Sequence, residues 1–393
     1  MNRYLKSNLI KLFAFVVSSS IALGFIACGK KTTLADGTYT ALEEGRNGPI
    51  EVQVVVADGK VTGATVLKIQ ETDFAVPAAT EIANQFVKNG GKGKLDAVSG
   101  ATITSDATAK ALKKALGLAQ GKTETVEKAK DASCDIVIIG AGGAGLTAAT
   151  EAASKGKNVI VLEKMAACGG NTISATGGLN ASETSIQKKL GIEDSNDSYY
   201  NDTMKGGYNK NNPELVRNMV EKSAATVDWL ISIGADLTDV GKMAGSSNKR
   251  THRPQGGAAV GAHLVPVLVK AAESAGAEIR LNSKVTDIIE ENGRAAGVKV
   301  SAKNGDYTIK AKAVIVAAGG FGANPDMVVS YKPNLKGFGT TNHRGATGDA
   351  FEMVKKFNAA LTQMDEIQTH PTVVPGNGTM ITEAVRGNGA IIV

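Results

Sequence analysis

Two short strings near the end of the chain hold the residues best suited to move protons and grip an anion. Gln368-Thr369-His370-Pro371-Thr372 sets a histidine before a proline, which restricts the histidine's backbone and offers a fixed donor for an anionic oxygen. Ile381-Thr382-Glu383-Ala384-Val385-Arg386-Gly387-Asn388-Gly389 adds a hydroxyl at Thr382 and an acid and a base three positions apart. On a helical turn Glu383 and Arg386 meet as an ion pair. That pair is either a plain salt bridge or, beside a further acid or base, a proton relay. A third string, Asp96-Ala97-Val98-Ser99-Gly100-Ala101-Thr102-Ile103-Thr104-Ser105, exposes hydroxyls beside glycine and alanine. There Thr102 is sterically open to a bulky phosphate, or the segment is a Ser/Thr-rich turn capping a helix from Asp106 to Leu116.

Such side chains need a scaffold, and the clearest one begins at Cys134. An apolar run, Ile136 to Ile139, reads as a buried parallel strand. Gly140, Gly142 and Gly145 follow in G-x-G-x-x-G spacing, then a helical segment to Ser154, a second apolar run from Val159 to Leu162, and Glu163. The first glycine permits the tight turn, the second lets backbone approach a pyrophosphate, and the third lets helix pack on strand. Phosphate charge sits on free amides at the helix N-terminus, and the Glu163 carboxylate accepts from a ribose diol. The alternative is a βαβ unit with a glycine turn and no ligand. A second small-residue loop so soon after the acid, Cys168-Gly169-Gly170-Asn171-Thr172 then Thr176-Gly177-Gly178, points to FAD rather than NAD. Further on, Glu278 to Leu281, Val285 to Ile289 and Gly297 to Val300 read as a β-meander. Ala313 to Ala317 is another buried strand ending in glycines. Asp349 opens a helix, near a positive N-terminus or a ribityl hydroxyl. His252, in the basic glycine-rich segment Arg250 to Gly261, is either functional or a loop histidine that positions backbone.

The rest of the chain divides around these parts. Residues 1–28 carry Arg3, Lys6 and Lys11, an apolar run to Ala27, and Cys28, the pattern of a secretory signal. Phe25-Ile26-Ala27-Cys28 is similar to a bacterial lipobox, which makes Cys28 the lipidated first residue of an exported, membrane-anchored protein facing the periplasm or cell exterior; the alternative is an uncleaved anchor. Residues 34–118 form a small α+β unit with a hairpin signal at Asp58-Gly59. Residues 119–133 are a polar, lysine-rich linker, 134–364 the FAD-binding domain, and 365–393 the start of a domain that caps the substrate. The expected fold is α/β, a Rossmann-like dinucleotide domain preceded by the small α+β unit. The formal charge of +6 is dispersed and lacks a compact basic run with interleaved aromatics, which excludes nucleic acid as a partner. Three cysteines without metal-type spacing exclude a zinc site and a disulfide framework, and no C-x-x-C-H occurs for c-type haem.

Two resemblances make these readings more specific. Residues 34–118, with their S-G-A-T segment, resemble the FMN-binding domain of the sodium-pumping quinone reductase and of many exported flavoproteins. That likeness implies FMN joined covalently to the Thr102 hydroxyl by a dedicated flavin transferase. From Cys134 to Val393 the strings IIGAGGAGLTAA, EKMAACGGNT, THRPQGG, LNSKVTDI, AAGGFG, TNHRGATGDA, IQTHPT and ITEAVRGNGAIIV resemble the soluble flavocytochrome c fumarate reductases. These are relatives of the succinate dehydrogenase flavoprotein, and the family includes urocanate and other enoate reductases. The likeness implies non-covalent FAD lined by Ala144, Glu163, Asn171, Thr172, Thr176, Gly177 and Val285. It places a substrate carboxylate on His370 and Thr382, near Gly177, and makes Glu383 and Arg386 a relay to a proton-donating arginine. That arginine falls beyond Val393 in the family pattern, so the sequence reads as the N-terminal part of a longer enzyme, inactive by itself. The FMN unit stands where the family has its haem domain, so electrons are expected to enter through FMN from a membrane or extracytoplasmic donor, a quinol dehydrogenase or a cytochrome. Fumarate is the leading substrate and urocanate the alternative. A flavin electron-transfer lipoprotein, or a flavoprotein of the L-aspartate oxidase or steroid-dehydrogenating type, remains as a reading from another class.

Overall fold

The computed structural model describes residues 34–46, 48–71, 74–122, 128–374, 380–381 and 385. The leader with Cys28, and Thr382, Glu383 and Arg386, lie outside the described residues.

The N-terminal unit is a three-stranded antiparallel sheet, β1 (Gly37–Glu44), β2 (Pro49–Ala57) and β3 (Lys60–Ile69), with two helices on one face, α1 (Val76–Lys88) and α2 (Thr102–Ala119). Strand β2 alternates strictly, sending Ile50, Val52, Val54 and Val56 into the core against Ile82, Phe86, Leu112 and Leu116. Each such side chain taken from water contributes roughly 1.5–3 kcal/mol. Asp58 and Gly59 both take positive φ, 52° and 66°, as a two-residue hairpin between β2 and β3 requires. The last helix starts earlier than its sequence suggests, at Thr102 and not Asp106. Its hydroxyl residues do not break it, because they bond back one turn: Ser105 Oγ donates to the Ala101 carbonyl at 2.9 Å and Thr108 Oγ1 to that of Thr104 at 2.7 Å.

The larger unit begins with β4 (Ala132–Ile139), α3 (Gly143–Ser154) and β5 (Val159–Leu162). A small substructure follows, comprising β6 (Leu179–Asn180), α4 (Ser185–Lys189), α5 (Asn196–Gly206), α6 (Pro213–Ser232), β7 (Asp239–Gly241) and β8 (Thr251–Arg253). Helix α7 (Val260–Ser274) then returns to the main sheet through β9 (Glu278–Arg280), β10 (Ser283–Glu291), β11 (Arg294–Ala302) and β12 (Tyr307–Val316), before α8 (Pro325–Tyr331) and α9 (Asp349–Val354). The main sheet runs β10-β11-β12-β4-β5-β9, parallel from β12 through β9 and antiparallel from β10 through β12. The expected meander is therefore corrected. Glu278–Arg280 pairs with β5 at the far edge, since α7 completes a crossover after β5, and the antiparallel run is β10, β11 and β12. Strands β4 and β5 are apolar on both faces because both are covered: α3 and α7 pack on one side, while Val285, Ile288 and Val298 close over Val137, Ile139 and Leu162 on the other. Residues 128–131 of the expected linker lie on this unit, with the Ala129 amide on the Asn304 carbonyl and the Thr308 amide on Asp131. Among the described residues no helix is long and apolar enough to cross a membrane.

Candidate functional site

At the carboxyl ends of β4, β5 and β12, the place where open α/β sheets hold their ligands, lies a cavity of about 430 Å³. Its walls bring together Gly140, Gly142, Ala144, Glu163, Asn171, Thr172, Val285 and Asp349, eight of the residues singled out in the sequence.

The three glycines of the turn do different work. Gly140 has φ +102°, and a Cβ there would come within 2.5 Å of the Ala317 carbonyl oxygen. Gly145 lies behind the cavity wall, pressed so closely on the Gly140 carbonyl that no Cβ fits. Gly142 has ordinary backbone angles and no protein atom nearer than 3.8 Å to a built Cβ. The protein's own packing does not require glycine at 142; a ligand approaching the backbone does. Gly170 and Gly319, in the same wall, also have open space beside them, but their φ of +49° and +72° favours glycine for the backbone alone. This cradle fits a pyrophosphate. The first bond inside α3 runs from the Leu146 amide to the Gly142 carbonyl, and the Gly143 amide donates to Thr172 Oγ1 at 3.0 Å. The Ala144 and Gly145 amides are thus the first-turn donors left for an anion.

Glu163 is buried, 7% exposed, and both its oxygens accept main-chain amides, Oε2 from Ala141 and Oε1 from Met165, each at 2.9 Å. The carboxylate so fixed retains lone pairs for a ribose diol. Asp349 begins α9 and is held by side chains: Lys164 Nζ at 3.1 Å, the Thr347 hydroxyl at 2.8 Å and Lys284 at 3.5 Å. Burial pushes its carboxyl pKa up, but the Thr347 hydroxyl and the Lys164 ammonium outweigh it, so Asp349 sits below the usual carboxylate range. Asn171 clamps a loop, accepting from the His343 amide and donating to Asn342 Oδ1, both at 2.6 Å. His343, in the same wall, has its pKa lowered by burial and then by the charges of Arg46, Arg344 and Lys164. The Cys168 thiol is pushed up to about 12 by burial, with Glu163 and Glu273 adding to it, and is inert.

Other expected site residues lie elsewhere. Thr176 and Gly177 are half-buried on the loop that leads into β6, outside the cavity wall, where Met243 Cε lies 3.9 Å from a Cβ built on Gly177. His370 is half-buried on the C-terminal segment, its Nδ1 accepting from the Thr372 amide at 3.3 Å. Thr102 is exposed at the start of α2, whereas Thr104 and Ser105 beside it are buried. Gly100, two residues earlier, has φ +80° and nothing near it. His252 is fully buried in β8, between Thr184 Oγ1 at 2.8 Å and the Arg250 carbonyl at 2.9 Å, and positions backbone. Sequence reasoning passed over Lys164 and His343. The first follows the strand-end acid directly, and that position was the signal for it. Among the described residues no group of acids, histidines or cysteines is placed to hold a metal.

Residues 135–393 match the family described as FAD binding domain, and residues 45–117 the FMN-binding domain. The NADH:fumarate oxidoreductase of Klebsiella pneumoniae is 43% identical over 303 residues, which covers 76% of this chain and 33% of that protein. The urocanate reductase of Eggerthella lenta is 31% identical over 360 residues, or 87% of this chain and 59% of that protein. The solved open conformation of a flavocytochrome c3 fumarate reductase superposes with a TM-score of 0.62 at 39% identity, covering 66% of this chain and 46% of that one. The chain spans one third of the first of these curated relatives and under two thirds of the second.

Proposed function

The chain belongs to the FAD binding domain family, and from that premise we propose that it is the flavin-bearing part of an exported ene-reductase that reduces the C=C bond of an unsaturated carboxylate, fumarate first among them. The observation that carries the reading is Gly142, a glycine that only a ligand needs, at the mouth of a helix whose free amides face a cavity. Gly142, Ala144 and Gly145 hold the FAD pyrophosphate, Glu163 the ribose, and Asp349 and Val285 flank the rest of the cofactor. Bound FAD supplies the hydride chemistry that an activated double bond requires. His370 and Thr382 hold one substrate carboxylate near Gly177, which polarises the alkene, and Arg386 with Glu383 carries a proton toward the carbon that becomes protonated. Thr102 tethers FMN as a phosphoester, and Cys28 carries the lipid anchor.

Fumarate is favoured because a relative at 43% identity bears that substrate in its name. Urocanate is the second reading, because the match to the urocanate reductase extends over 360 residues and so takes in the FMN-binding unit. Steady-state reduction of fumarate and of urocanate by the complete gene product, with a reduced viologen as donor, separates them. Turnover of fumarate well above urocanate is expected; the reverse selects the second reading, and turnover of neither overturns both substrate assignments.

A further inference from the structure

The FMN-binding and FAD-binding units meet through a polar contact that the proposed chemistry does not use. Arg46, on the turn between β1 and β2, donates from Nη2 to Ser174 Oγ at 3.1 Å, a half-buried bond across 128 positions of sequence. Ser174 closes the short helical turn Thr172–Ser174, whose first residue caps the Gly143 amide at the phosphate cradle. Arg46 is also near enough to His343 in the cavity wall to depress its proton affinity. Beside this contact the units stand apart over a cleft of about 1280 Å³. The cleft is lined by Glu43, Glu44 and Lys114 of the small unit and by Lys164, Arg280, Lys284 and Glu278 of the large one, and Glu43 pairs within its own unit, with Lys114 at 2.6 Å. With these charges paired inside their own units, the cleft does not lock the two units, and small polar inter-domain contacts permit relative motion by default.

The turn that carries Arg46 lies at the same end of its unit as Thr102. Its main chain closes from the Gly45 amide to the Gly48 carbonyl at 2.8 Å, and Gly48 packs on Gln70. Ala75 follows Glu71 by four positions, no more than about 14 Å of chain. Ala75 and Ala78 cluster with Val98 and Ala101, the residue before Thr102. The docked end is thus the end that presents the Thr102 hydroxyl.

We propose that Arg46 is a docking pin: the β1–β2 turn seats the small unit reversibly on the Thr172–Ser174 turn of the FAD-binding unit and brings Thr102 to the dinucleotide cavity. Docking follows from contacts within this chain; only its consequence, control of exchange between the two flavins, rests on the reading of Thr102 as the FMN carrier. Arg46→Glu removes the charge-assisted bond to the Ser174 hydroxyl. Loss of such a bond shifts the docked-to-undocked ratio about tenfold or more.

The test uses the whole chain without added flavin and follows protease cleavage between residues 119 and 133, together with the radius of gyration from solution scattering. Arg46→Glu is expected to raise both cleavage rate and radius at unchanged melting temperature, and the swap Arg46→Glu with Ser174→Arg to restore them. Ser174→Ala, on the opposite unit, gives the same reading should the Arg46 variant fail to fold. In flavin-loaded protein, the FMN-to-FAD exchange rate should fall in proportion to the docked fraction. Unchanged cleavage and radius in both single variants overturn the docking proposal. Absence of the FMN mass on intact protein would instead remove the flavin reading while leaving the docking result standing.

Discussion

At the scale of single residues, glycine is the most informative side chain because its reasons can be told apart. Gly145 is required by the fold and Gly142 only by the ligand. Gly142→Ala should weaken FAD binding at least about tenfold, one lost first-turn contact with the pyrophosphate being enough, with a melting temperature close to that of the parent. Gly145→Ala should lower the melting temperature first. FAD titration by fluorescence beside a thermal melt checks the pair, and equal thermal damage from both would contradict the distinction. A second residue-scale consequence concerns protons. His252 is held below its ordinary value of 6.5 by burial, against the Arg250 and Leu179 carbonyls that raise it; His343 is lowered by burial and by Arg46, Arg344 and Lys164. The unfolded chain takes up these protons near the ordinary value, while the folded chain does so only at lower pH. Through that window the unfolded state binds more protons, so stability falls as pH drops below about 6.5 and levels off below the folded values. Urea midpoints measured from neutral pH to about pH 5 should decrease, and His343→Asn should flatten the slope. A midpoint rising with acid would contradict the sign.

Among the elements, those that sequence exposes are those whose pattern is local. The strand, glycine turn, helix, strand and acid of β4-α3-β5 were legible because each part has its own signature, and β2 was legible through alternation. Strand β9, three residues long, has no period of its own; its place at the sheet edge is decided by α7 packing on α3. The start of α2 was hidden because Ser and Thr usually mark caps, and only the back-bonding of Ser105 and Thr108 shows why they are tolerated inside the helix. Side chains joined across long separations left no trace: Lys164 with Asp349, Asn171 with His343, and Arg46 with Ser174. The same holds for the anchor of the β6-β8-β7 sheet. Arg250, 1% exposed, lies 2.9 Å from Asp194, 3.1 Å from Asp202 and over the Tyr199 ring. Arg250→Ala leaves two carboxylates without their cation, and breaking a buried pair of this kind costs about 3–5 kcal/mol. Chemical denaturation of the variant measures this loss. A loss well under about 1 kcal/mol, the range of exposed pairs, would show that the cluster does not hold the sheet.

For the molecule as a whole, a unit matching the FMN-binding domain and a unit matching the FAD binding domain belong to one chain. The small unit has its own core, with Phe86 and Leu112 fully withdrawn from water, and the large unit has two, one on each face of its sheet. Between them runs the Arg46–Ser174 bond. The central claim is that reducing equivalents pass from a tethered FMN through FAD to an activated double bond. The most direct measurement is anaerobic: the complete, flavin-loaded protein is reduced stoichiometrically, the donor removed, and fumarate added while the visible flavin absorption is recorded. Reoxidation of both flavins, with one succinate formed for each electron pair lost, is the predicted result. Flavins that stay reduced in the presence of fumarate and of urocanate alike, or a protein that binds only one flavin after reconstitution, would contradict it.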